Sequence, residues 1–344
     1  MHRLIILMLL LALPTAVAAE PVVINAVGDI MLAGSGAPLF RRVGFDYPFK
    51  EISPLLLQGD LNIGNLESPI TRGGNEFLDK KFRFRTDPGA TAALQRAGFN
   101  HLTLANNHIL DFGTTGLEDT ISALDSVGIT HAGAGLDLAR ARQERIVTVK
   151  GARIALLAYS LTYPAEFYAT ADRGGTAPGY ADYYRADIAR ARKSADYVIV
   201  SFHWGVECAD LPRDYQKVAA HRAIDAGADV VLGHHPHVLQ GIEYYKGGVV
   251  FYSLGNFAFA SRSRKADRSM VARITLDRGV TMVEVIPLNV LYNQVKYQPR
   301  PLSAAGGDEV IGRLRRLSAG MGTVFAEANG RYLVKRDERQ IAAR

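Results

Sequence analysis

The chain has 344 residues, a formal net charge of +6, 48% apolar residues and one cysteine, Cys208. That apolar share is ordinary for a folded globular protein. A single cysteine excludes an internal disulfide framework, so stability in an oxidising compartment has to come from the core. The basic excess is spread along the chain without the basic–aromatic interleaving of a nucleic-acid module, and no nucleic-acid partner is expected.

Residues 1–19 read as a secretory signal. Arg3 gives a positive start, Leu4 to Leu13 an apolar core, Pro14 a break, and Ala16-Val17-Ala18 or Val17-Ala18-Ala19 a small-residue cleavage site. The apolar stretch is shorter than the roughly 20 residues a bilayer span needs. The expectation is an exported protein of the periplasm or cell envelope, with one domain over 20–325 and a charged C-terminal tail over 326–344 that frays from Asp337 onward.

Within the domain, short β-rich runs alternate with amphipathic stretches. Val22 to Val27, Leu61 to Ile63, His101 to Leu104, Ile154 to Ala158, Tyr197 to Phe202, Val230 to Leu232 and Val249 to Tyr252 carry strand signals. Helices are expected over Thr91 to Gly98, Leu117 to Val127, Ala186 to Ser194, Gln216 to Ala226 and Asp308 to Leu317. Gly128 and Gly227 stand just past two of these, where a helix stops cheaply. Tyr168 to Tyr184 reads as a long loop, and Ser269 to Leu276 with Val280 to Ile286 as a hairpin. The layout is α/β with largely buried strands.

Residues able to bind metal cluster immediately after the strands, where α/β sheets form their sites. Gly233-His234-His235-Pro236-His237 is the sharpest feature, since neutral imidazole is a strong ligand for Zn, Mn and Fe. Taken as extended, the segment puts His235 and His237 on one side, toward two ions, and turns His234 away. His203 ends another strand. Asn107 offers a hard oxygen and leaves His108 free to act on substrate. Asp29 and Glu67 supply negative charge, which two close ions need, although Asn65 shares the loop of Glu67. Asp111 either orients His108 or caps the next helix. Lys81, Arg83 and Arg85 alternate as on a strand, facing either solvent or an anionic polymer. Cys208 is not read as a ligand, and His221, mid-helix, reads as structural or exposed.

These motifs, in this order, resemble the CapA family of capsule synthesis, also called the poly-γ-glutamate capsule protein family, within the metallophosphatase-like superfamily. The matching segments are Gly28-Asp29-Ile30-Met31, Asn65-Leu66-Glu67, Ala105-Asn106-Asn107-His108 with Asp111-Phe112-Gly113, and His203-Trp204-Gly205. Gly233 to Gly241 and Tyr252-Ser253-Leu254-Gly255-Asn256-Phe257 complete them, so the match runs from Val22 to the low 320s. The resemblance implies a four-layer α/β/β/α sandwich. It implies one or two divalent ions, with Mn, Fe or Zn as candidates, held by Asp29, Glu67, Asn107, His203, His235 and His237. His108 would then protonate a leaving group.

Two departures stand out. Met31 occupies a position where the superfamily has a ligand histidine, and Asn65-Leu66-Glu67 replaces Gly-Asp at the bridging position. Two functions follow from the resemblance. One is a metal-dependent hydrolase acting on an amide or phosphoester of an envelope polymer. The other is a non-catalytic capsule assembly or export factor that keeps a metal site. The expected partner is an anionic envelope polymer or a membrane-bound polymer synthase complex.

Overall fold

The apolar runs collect into two sheets packed face to face. The computed structural model describes residues 20–341, so the segment read as a secretory signal lies outside the described residues. No described helix is long and apolar enough to cross a membrane.

In the larger sheet, Val22–Ile30 is flanked by Leu61–Leu66, parallel to it, and by Arg268–Leu276, antiparallel. His101–Thr103 and Thr130–Ala132 extend the parallel side. Val280–Asn289 extends the other side, pairing with Arg268–Leu276 as the expected hairpin. The smaller sheet has four parallel strands at its centre, Ala152–Ser160, Tyr197–His203, Val230–His234 and Gly248–Phe251. Arg145–Val149 and Ile242–Tyr245 edge it antiparallel.

Alternation along each strand decides which layer a side chain enters. Ile154, Leu156, Ile199, Val230, Leu232, Val249 and Phe251 meet Val22, Ile24, Leu61 and Ile63 between the sheets. The intervening residues Leu157, Val198, Val200, Phe202, Val231, Val250 and Tyr252 face outward onto helices Ala181–Ala191 and Asp214–Asp225. On the far side, Val27, Ile30, Leu66, Leu102 and Leu104 pack beneath Ala90–Arg96 and Gly113–Ser126. The result is the four-layer α/β/β/α sandwich. Each fully buried Leu, Ile, Val or Phe in the middle layer contributes about 1.5–3 kcal/mol, which fixes the sheets against each other and brings their strand ends to one seam.

Three expectations are corrected. The boundary at 325 falls inside a strand: Thr323–Ala328 and Arg331–Arg336 form a hairpin that pairs with Val280–Asn289. Half-buried edge positions such as Phe325 and Tyr332, set among charged residues, hide that pattern in a stretch that reads as tail. The region 168–184 is not a plain loop, because Gly175–Thr176 pairs with Ala134–Gly135 and a helix begins at Ala181. The alternating Lys81, Arg83 and Arg85 lie outside any strand. Arg83 pairs with Glu76 and Arg85 covers the ring of Phe112.

Candidate metal centre

A register shift in the first strand starts the site. Val22–Ile30 and Leu61–Leu66 run in step to Ala26 opposite Ile63, but the next pair is Asp29 opposite Asn65. The extra residue is a β-bulge, which resets the alternation, so Asp29 and Asn65 meet on the inner face and Asn65 Nδ2 donates to Asp29 Oδ1 at 2.8 Å. Gly28 sits at the bulge because a Cβ there would lie 1.8 Å from the Gly255 carbonyl oxygen. Two residues past Asn65, Glu67 reaches the same place. His203 and His234 share the inner face with Ile199 and Leu232 by the same alternation.

Glu67 is the centre of the arrangement. It is fully buried, and neither carboxylate oxygen has a hydrogen-bond partner. His203 Nε2 lies 3.5 Å and His237 Nε2 3.7 Å from Glu67 Oε1. Donor atoms of Glu67, His203 and His235 fall within 4.8 Å of one another, and so do those of Asp29, Glu67 and His237. Asn107 Oδ1 joins the first trio, 2.9 Å from His203 Nε2. Two donor sets therefore share one carboxylate, a full one of four with Asn107 and a thinner one of three.

The histidine loop reaches this geometry by turning. His235 and His237 have φ of 91° and 59°, the left-handed region that non-glycine residues seldom adopt. The extended-chain expectation for His234 fails for that reason. Its ring is buried with Nδ1 3.2 Å from Asp29 Oδ1, on the site side. Asp29 also accepts the His235 backbone N–H at 3.2 Å. His237 Nδ1 lies 2.8 Å from Asn256 Oδ1, which leaves Nε2 for Glu67 or an ion.

Charge explains what the cluster is built to hold. Burial, reinforced by His235, keeps His203 well below the usual imidazole range, and burial with His237 takes His235 down to about 3. Both rings are thus neutral donors. Burial and then the charge of Asp29 push Glu67 well above the carboxylate range. Burial opposes ionisation of Asp29 too, but His234 and His237 outweigh it and hold Asp29 low. Burial disfavours a charged His237, yet Glu67 and Asp29 raise it to about 10. Without an ion, a proton on His237 answers the charge of Asp29, and Glu67 is pushed toward its neutral form. Buried polar atoms are almost always paired, and a buried carboxylate without a partner costs several kcal/mol. Oxygen and neutral imidazole donors around an orphaned carboxylate fit a divalent cation.

His108 stands beside this cluster, 7% exposed. Its Nδ1 lies 2.6 Å from Asp111 Oδ2, so Asp111 orients the ring and does not cap the helix that begins at Gly113. Lys80 was not singled out by its sequence context. Its Nζ donates to Asp111 Oδ1 at 2.5 Å and to the Asn107 carbonyl, and lies 3.1 Å from His108 Nδ1. Burial lowers the basicity of Lys80, with Asp111 opposing. Burial likewise favours the neutral form of His108 against Asp111.

Other singled-out residues join none of these donor sets. Cys208 is an exposed free thiol. His221 bonds Glu243 at 2.9 Å and stacks on Tyr245, a structural role.

Four layers with a metal-type cluster at the seam define an α/β/β/α sandwich with a candidate metal centre. The chain belongs to the bacterial capsule synthesis protein family PGA_cap, whose family model matches residues 23–261. It is 31% identical to the capsule biosynthesis protein CapA of Bacillus anthracis over 94% of this chain and 79% of that one. It is 34% identical to the PGA biosynthesis protein CapA of Bacillus subtilis (strain 168), over 77% of this chain and 70% of that one. Among solved structures, the 5'-nucleotidase precursor of Thermus thermophilus matches at a TM-score of 0.49 and 13% identity, over 90% of this chain and 61% of that one.

Proposed function

We propose that this chain is an exported metal-dependent hydrolase of capsule or poly-γ-glutamate biosynthesis, acting on an amide or phosphoester of the polymer. The observation that carries the reading is Glu67, buried with both oxygens unpartnered between His203 and His237. Glu67, Asn107, His203 and His235 would hold one divalent ion, and Asp29, Glu67 and His237 a second. When bound, such ions polarise the scissile group and activate water at neutral pH.

The chain's own residues do the rest. Asp111 fixes the ring of His108 through Nδ1 and favours its charged form against burial, so that the protonated ring would hand a proton from Nε2 to the leaving group. Lys80 holds Asp111 and places a positive charge beside a site meant for an anionic substrate. Asn65 and Asn256 fix Asp29 and His237. The expected partner is an anionic envelope polymer or the membrane-bound synthase that makes it.

The test is turnover of γ-glutamyl polymer and of phosphodiesters by the purified chain with Mn, Fe or Zn. Activity should vanish on chelation and fall by about 100-fold or more in His108→Ala, with metal uptake retained. Metal uptake without turnover of either substrate class would favour a non-catalytic assembly factor, the reading that buried Met31 supports.

A further inference from the structure

We infer that Glu207 is a further protein ligand of the thinner ion. This rests on the metal-centre reading above and adds a residue to it. The donor set of Asp29, Glu67 and His237 is one ligand short of the four that Glu67, Asn107, His203 and His235 provide. Glu207 is the one further carboxylate among the described residues that falls into a metal-type group here. A Glu207 oxygen, a His235 ring nitrogen and a His237 ring nitrogen lie within 4.8 Å of one another.

The loop that carries Glu207 is fastened to the histidine loop on both sides of it. Trp204 N–H donates to the His234 carbonyl at 3.1 Å, and Cys208 N–H to the Pro236 carbonyl at 2.9 Å. Cys208 takes a φ of 58° to do so, an uncommon conformation for a residue other than glycine. Trp204 is fully buried and its Nε1 donates to the Tyr252 carbonyl at 2.9 Å. The carboxylate therefore comes from an anchored turn. Glu207 is exposed, so it approaches from the solvent side, whereas Glu67 approaches from the buried side. His235 is already committed to the fuller set, which leaves the ion at His237 as the one that Glu207 serves. His234 is the competing candidate, but its ring nitrogens group with no further donor beyond Asp29.

Mn(II) binding to the full chain, followed by equilibrium dialysis with metal analysis and by the electron spin resonance of a coupled Mn pair, tests this. The wild-type chain should take up two ions and show the coupled signal. Glu207→Gln should weaken the second ion by about 100-fold, the upper end of what even outer-shell changes cost a metal site, and lose the coupled signal while the first ion stays. Glu207→Asp should recover part of it. Two ions held at unchanged affinity by Glu207→Gln would overturn the inference. So would one ion in the wild-type chain, which leaves the Glu67–His203–His235 site standing. No uptake at all would remove the metal-centre reading itself.

Discussion

Asn256 Oδ1 stands 2.8 Å from Nδ1 of His237 and thereby decides which nitrogen of that ring faces Glu67. The arrangement is locked in turn, because Asn256 Nδ2 donates to Ser261 Oγ at 2.7 Å. Outer partners of this kind fix the tautomer and the direction of a ligand histidine, and removing one typically costs 10–100-fold in metal affinity. Asn256→Ala should therefore weaken the thinner site by about that factor and leave the Asn107–His203–His235 site unchanged. Calorimetric titration with Mn(II) separates the two sites, and equal affinities in both proteins would refute the role.

The Lys80–Asp111–His108 cluster predicts a stability asymmetry. Asp111 is fully buried and accepts from Lys80, from the Phe84 backbone N–H at 2.8 Å, and from His108. Asp111→Ala strands a mostly buried ammonium and should cost about 3–5 kcal/mol. Lys80→Met leaves Asp111 with its hydrogen bonds from the Phe84 N–H and from His108, and should cost less. Urea denaturation of both variants with the ion removed measures the difference, and equal losses would contradict the account.

How much of this could be read from residues alone follows from how local each cause is. The seven candidate residues, Asp29, Glu67, Asn107, His108, His203, His235 and His237, stand after runs of apolar residues, and strand ends are where an α/β sheet builds its site, so the sequence picks them out as candidates. Helix ends are less legible. Gly113–Ser126 starts four residues before Leu117 because Gly-Thr-Thr-Gly carries no apolar period. His234 was misplaced because alternation holds only in extended chain, and two left-handed residues follow it. Lys80 and Glu207 stand in loops whose paths are set by tertiary contacts, and Asn256, although inside a matching segment, shows its contact with His237 only in the fold. The shared sign is a polar side chain beside a recognised motif, which is too common to single out a residue.

Acid should destabilise the protein through His101. The ring is buried, bonded to Thr130 at 2.9 Å through Nδ1, with Nε2 unpartnered. Burial first, then the nearby His131 and Arg145, lower it to about 3 from its ordinary 6.5. The unfolded chain takes up this proton at higher pH than the folded one, so the contribution is full above 6.5. It falls away as pH drops from 6.5 toward 3. At pH 5 the loss should be about 2 kcal/mol. His101→Gln should lose less stability than the wild type between pH 7 and 5, measured by urea unfolding with the ion removed. Parallel pH profiles for the two proteins would show that His101 is not the group responsible.

One substitution at two glycines should give opposite signs. At Gly28, an alanine Cβ would lie 1.8 Å from the Gly255 carbonyl oxygen, where contacts under 3.0 Å force a shift. Backbone cannot yield there cheaply, because Asp29 N–H donates to that same oxygen at 3.0 Å and Phe257 N–H donates to the Asp29 carbonyl at 2.8 Å. Gly28→Ala should therefore cost about 2–3 kcal/mol and pull Asp29 away from His237, weakening the thinner ion as well. Gly312 lies inside the helix Ala304–Leu317, and a Cβ there would meet only the Arg316 side chain at 3.8 Å. With helical backbone already in place, Gly312→Ala should stabilise by about 0.5–1 kcal/mol through the unfolded chain's lost freedom, with metal uptake unchanged. Thermal unfolding of the two variants reads both signs, and a neutral Gly28→Ala would mean that the bulge does not hold Asp29 in place.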